Sequence, residues 1–143
     1  MTPATLAEIL GGQKTFSRDM HSDMDLADAM RSGISYRAVE RVIETGMLSS
    51  SEVYDLVGSR RSLTRSKREG RALSPDESDR LTRVARVIGC ADEALGDRES
   101  AYRWLRTPNR ALRGRKPLEL LTSYIGARIV EQTLGRIEQG VHS

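Results

Sequence analysis

The side chains best equipped for chemistry in this chain are arginines, and they are gathered rather than scattered. Between residues 59 and 73 stand Arg60, Arg61, Arg65, Lys67, Arg68 and Arg71 against one acidic residue, Glu69. Between 102 and 116 stand Arg103, Arg106, Arg110, Arg113, Arg115 and Lys116 against none. The stretches around them are acidic on balance, so the formal net charge of the 143 residues is only +3. Two cationic segments on a slightly acidic chain point to two places where a polyanion or an acidic partner docks.

Catalytic groups are harder to assemble. His21 and His142 lie near opposite ends, so no histidine stands where a Ser-His-Asp constellation needs one. The single cysteine, Cys90, cannot close an internal disulfide and reads as a small core residue beside Gly89. With so few His and Cys there is no metal-ligand spacing, and Gly11-Gly12 and Gly33 lack the strand and lysine of a phosphate-cradling loop. The expectation is a protein that is not an enzyme and needs no cofactor. No apolar run approaches the roughly 18 residues of a membrane span, and residues 1–21 lack the basic-then-apolar order of a secretory signal. A cytoplasmic protein is expected.

The elements that must position the arginines are helices. Aromatic residues make up 4% of the chain, hydrophobic residues 38% and charged residues 30%, so the core must be built from Leu, Ile, Val and Ala packed between helices. An all-α fold is expected. Residues 1–21 hold one short apolar stretch, too little to nucleate a helix alone, and read as a mobile arm. Residues 22–72 read as a helix-turn-helix domain, and 73–143 as a second helical domain.

In the first of these, Ser49-Ser50-Ser51 opens a helix that Gly58 ends, and a basic helix follows from Ser59 to Gly70. Val53, Leu56 and Leu63 pack the two together. The leading residues Arg60, Arg61 and Ser62 are then aimed at a DNA major groove, with Arg65, Lys67, Arg68 and Arg71 on phosphates. In the second domain, Ser74-Pro75-Asp76-Glu77 is a capping box starting a long helix, with Leu81, Val84, Ala85, Ile88, Ala91 and Leu95 on one face. Asp97 caps a further helix that Pro108 ends. Between Pro108 and Pro117 lies a cationic loop with the only tryptophan, Trp104, before it; Trp104 reads as core.

Three ordered segments, EGRALSPDESDRLTRVARV, WLRTPNRALRGRKPLELL and GARIVEQTLGRIEQGVHS, resemble the Xre/MbcA/ParS family of antitoxins. That resemblance implies a type II antitoxin whose C-terminal domain binds and blocks a toxin enzyme of the RES fold, which consumes NAD, while the N-terminal domain binds operator DNA and represses its own operon. A homodimer within a larger complex is expected, because one short helix reads too few base pairs to be selective. The loop held between two prolines suits a toxin contact through Asn109, Arg110, Arg113, Arg115 and Lys116, and the resemblance implies that the short terminus with Ile137, Val141, His142 and Ser143 enters the toxin's cleft. The chain departs from the family pattern in carrying Arg110, Arg113 and Lys116 where small or uncharged residues are usual, and Tyr124 and Ile125 where an acidic and a small residue are common. The alternatives are a free-standing helix-turn-helix repressor with a dimerisation or ligand-sensing C-terminal domain, and a protein-binding module without DNA affinity.

Overall fold

The computed structural model of the chain describes residues 1–140, and every regular element among them is helical. The fold divides into two compact units, Met1–Ala85 and Arg86–Ser143.

The first unit opens with α1 (Pro3–Ile9) and α2 (Gln13–Phe16). The segment expected to be a mobile arm is therefore folded. The Thr2 side chain accepts the Thr5 N–H to cap α1, and Leu6, Leu10 and Met20 are buried. The left-handed backbone at Gly11 and Gly12 reverses the chain so that the Thr15 hydroxyl donates to the Leu10 carbonyl at 2.6 Å, and α2 packs on α4. A helix as short as α1 is unstable alone; burial of Leu6 and of Leu10 at its C-terminal end stabilises it here.

Next come α3 (Asp23–Ser32), α4 (Arg37–Glu44), α5 (Ser50–Leu56) and α6 (Arg60–Glu69). Ser22 caps α3 by accepting the Asp25 N–H at 3.1 Å. The long helix α7 (Pro75–Leu95) follows. The division between units falls inside α7, about a dozen residues beyond the expected boundary at 72/73. The reason is local. Leu73 is buried and its N–H donates to the Ile34 carbonyl at 2.9 Å, while the Ile34 N–H donates to the Ser78 hydroxyl at 2.9 Å. Residues 72–78 are thus stitched to the α3–α4 connection and do not form a linker.

The second unit contains the rest of α7, then α8 (Arg98–Leu105), two 3-10 helices, η1 (Arg110–Leu112) and η2 (Pro117–Thr122), and α9 (Tyr124–Glu138). Asp97 caps α8 by accepting the Ser100 N–H at 2.7 Å, and Ser123 caps α9 through the Gly126 N–H at 3.0 Å. From Pro117 the chain winds as the 3-10 helix η2, which packs against both α8 and α9. Leu105, Leu112, Leu118, Leu121, Val130 and Leu134 are buried.

Candidate functional site

The cationic surface of the first unit is built on the α5–α6 hairpin. A reciprocal capping box starts α5: the Glu52 N–H donates to the Ser49 hydroxyl at 3.1 Å and the Ser49 N–H to the Glu52 carboxylate at 2.9 Å. Val53, Leu56 and Leu63 are buried as expected, so α5 and α6 each turn an apolar side inward. Gly58 between them is required by space, since a Cβ there would overlap the Glu77 carboxylate. Ser59 caps α6 through the Ser62 N–H at 3.1 Å, and Gly70 closes it in the left-handed conformation.

Helical spacing then brings Arg60, Arg61, Arg65 and Arg68 together around one open hollow, completed by Thr64 and Glu69. Thr64 was missed by a reading that followed charge alone, although its position between Arg60 and Arg68 on the helical wheel would have found it. The Arg60 guanidinium lies 5.9 Å from the centroid of the Tyr54 ring, so α5 also steadies the first arginine of α6. Glu69 accepts from Arg71 at 3.1 Å and pairs with Arg65 at 3.4 Å. The Arg71 hydrogen bond, opposed by desolvation and assisted by the charge of Arg65, holds its carboxyl below the usual carboxylate range. Lys67 is exposed and lines neither this hollow nor the neighbouring one, whose walls include Arg61, Arg65, Arg71 and Glu77.

Ser62 is placed differently from the expectation. Its hydroxyl donates to Glu77 at 2.8 Å, which ties it to α7, while Ser62 stays exposed and lines the neighbouring hollow beside Arg61, Arg65 and Arg71. Glu77 is 5% exposed and also accepts the Ser74 N–H at 3.0 Å, while Arg80, one turn on, donates to the Val57 carbonyl at 3.0 Å. The first turns of α7 thus fix both the α5–α6 turn and the start of α6. Sequence spacing offered Glu77 only as the capping box of its own helix.

In the second unit the expected loop is a closed turn. The Asn109 N–H donates to the Arg115 carbonyl at 3.0 Å, and the Asn109 carbonyl accepts from Leu112 at 3.0 Å and Gly114 at 2.9 Å. Its side chain accepts the Ala111 N–H at 2.9 Å, so Asn109 is committed to building the turn. Leu112 is buried as a plug, and Arg113 takes the left-handed conformation at φ 58°. Arg110, Arg113, Arg115 and Lys116 all point to solvent. Trp104, expected in the core, is half-buried; its neighbour Leu105 is fully buried in its place. Ile137 is half-buried near the end of α9, and Val141, His142 and Ser143 lie outside the described residues. Cys90 is half-buried, and burial, followed by the charge of Glu131, pushes its thiol up. Among the described residues no helix is long and apolar enough to cross a membrane.

The described residues thus form a helix-turn-helix unit followed by a helical unit that carries a cationic turn. Residues 25–86 match the antitoxin Xre-like helix-turn-helix domain, and residues 90–140 match the antitoxin Xre/MbcA/ParS C-terminal toxin-binding domain. The chain is 32% identical over 120 residues to the antitoxin Xre of Yersinia enterocolitica, covering 82% of this chain and 81% of that one. It is 30% identical over 122 residues to the antitoxin Xre of Pseudomonas putida, covering 85% and 76%. A Prs ADP-ribosylating antitoxin of Sphingobium is 22% identical over 129 residues, covering 83% and 81%. The chain belongs to the Xre antitoxin family.

Proposed function

We propose that the protein neutralises a RES-domain toxin that consumes NAD, and that as a dimer it represses its own operon through α6. The observation that carries the DNA half is the shared face of Arg60, Arg61, Thr64, Arg65 and Arg68 on a helix whose start is fixed by Glu77 and Arg80. Arg60 and Arg61 read base edges in the major groove, and Arg65, Arg68, Lys67 and Arg71 bind phosphates. Ser62 holds the start of the helix through Glu77. Two copies on a pseudo-palindrome are needed because one short helix reads few base pairs.

The toxin half rests on the toxin-binding domain matched at 90–140 and on the resemblance of its motifs. The name of the Sphingobium relative joins ADP-ribosylation to an antitoxin, and ADP-ribosylation takes its ADP-ribose from NAD, which supports NAD chemistry in a system of this kind. In this reading the NAD chemistry belongs to the toxin, and the antitoxin works in the cytoplasm without a cofactor. Arg110, Arg113, Arg115 and Lys116 steer it to acidic toxin surface, Asn109 shapes the turn that carries them, and the residues after Ile137 cover the NAD cleft.

The test is coexpression of the full chain with the product of the adjacent reading frame. Copurification, preserved cellular NAD and protection of the upstream DNA are expected. Falling NAD and no copurification would leave the free-standing repressor as the better reading.

A further inference from the structure

Among the described residues, α9 carries two apolar faces, and only one is covered. Gly126, Ala127, Val130, Thr133 and Leu134 are buried. Tyr124 and Ile125 are 68% exposed and Ile129 is 42% exposed. Tyr124 and Ile125 begin the helix and Ile129 lies one turn on from Ile125, so the three form a single patch on its first two turns. Arg128 is the only charged residue among the first seven of the helix, and helical spacing puts it within the patch. Large apolar residues left in water in such a cluster mark an interaction surface.

The backbone beneath the patch is held firmly. Ser123 caps the helix by accepting the Gly126 N–H at 3.0 Å. Gly126 is pressed against η2 so closely that a Cβ would overlap the Leu120 carbonyl. The Thr133 hydroxyl donates to the Ile129 carbonyl at 2.9 Å, one turn further on. A patch on fixed backbone binds without an ordering penalty, and tyrosine is among the residues that dominate interfaces.

We infer that Tyr124, Ile125 and Ile129, with Arg128 among them, form the apolar anchor by which this domain seats on its toxin. The inference rests on the toxin-binding reading of residues 90–140 and adds the residues that carry the affinity. The matched toxin-binding domain, residues 90–140, contains the whole patch, which makes the toxin its occupant. A second copy meeting this face about a two-fold axis would bring Arg128 towards Arg128 of its partner, like charge against like. A toxin surface with an apolar recess and a carboxylate on its rim would take the three side chains and pair with Arg128. The cationic turn and the apolar patch then divide the work: the first speeds encounter and the second slows release.

The test uses the full chain and the catalytically inactivated product of the adjacent reading frame. Ile125→Asp should weaken the complex by about 100-fold and Tyr124→Ala by about 30-fold, through faster dissociation. Operator affinity, thermal midpoint and the oligomeric state of the free antitoxin should stay as in wild type. If Ile125→Asp unfolds the domain, Ile129→Gln and Arg128→Glu remain, the latter expected to weaken the complex and to be rescued by a compensating lysine on the toxin. Wild-type toxin affinity in folded variants would overturn the inference, as would a change in the antitoxin's own oligomeric state with toxin binding intact. Failure of the unmodified chain to bind the toxin would instead overturn the functional reading on which it rests.

Discussion

The two arginine clusters of this protein carry nearly the same charge on opposite kinds of scaffold. On α6 the guanidinium groups repeat at helical spacing along one face and share Glu69 as a local counter-ion. In the turn of residues 109–116 four cations radiate from a backbone closed on Asn109, with Leu112 as its plug. A repeating face matches a periodic partner such as the phosphates of a duplex, whereas a compact knob suits one acidic spot. Net charge alone, equal to within one unit between the segments, does not tell the two apart; backbone geometry does.

The sharpest way to break this comparison is to exchange its losses. Arg60→Ala and Arg61→Ala should each weaken operator binding by about 1–3 kcal/mol and relax specificity, while Arg113→Ala and Arg115→Ala should leave operator binding alone. Mobility-shift titrations on wild-type and base-substituted operators at fixed salt would measure both. Equal loss from the two sets would mean that the turn also lies on DNA.

The next effect concerns what holds α6. Glu77→Ala removes the acceptor of the Ser62 hydroxyl and of the Ser74 N–H, both at the buried end of α7. A loss of about 1–3 kcal/mol in local stability is expected, read as faster hydrogen exchange in the first turn of α6, with weaker operator binding following from it. Glu77→Gln keeps an acceptor and should restore most of both. Toxin affinity should not move.

The history of these two sites in the sequence is unequal. SPDE announced the start of α7, because a capping box is encoded within four residues, and Val53, Leu56 and Leu63 announced the hairpin. That Glu77 also receives Ser62, fifteen residues earlier, has no local signature. The same holds for α1 and α2: ATLAEIL is too short to be helical on its own strength, and only burial of Leu6 and Leu10 makes it so. The closed turn was half legible. Its prolines and charges were visible, but the choice of Leu105 over Trp104 for burial and the left-handed Arg113 depend on packing and chain closure.

Arg68 offers a smaller and different test. It lines the hollow of α6 two turns beyond Arg60 and Arg61, so Arg68→Ala should weaken all sequences alike and lower the salt slope by about one. A sequence-dependent loss would move the boundary between base and phosphate contacts further along the helix.

The smallest expected effect separates charge from shape in the turn. Arg113 sits at φ 58°, a conformation that costs a side chain roughly 1 kcal/mol and glycine nothing. Arg113→Gly relieves that cost but adds freedom to the unfolded chain, so the net change in stability should stay within about 1 kcal/mol. The substitution removes one charge from the knob while leaving the hydrogen bonds among Asn109, Leu112, Gly114 and Arg115 in place. If the knob acts by steering, association with the toxin should slow by a few-fold at low salt, converge with wild type at high salt, and leave dissociation unchanged. Arg113→Val also removes the charge but forces a β-branched side chain into the left-handed region, so it should slow association and speed dissociation together. Stopped-flow binding at two ionic strengths would distinguish them. Matching kinetics for the two variants would mean that the turn contributes charge and no shape, which would remove the contrast with α6.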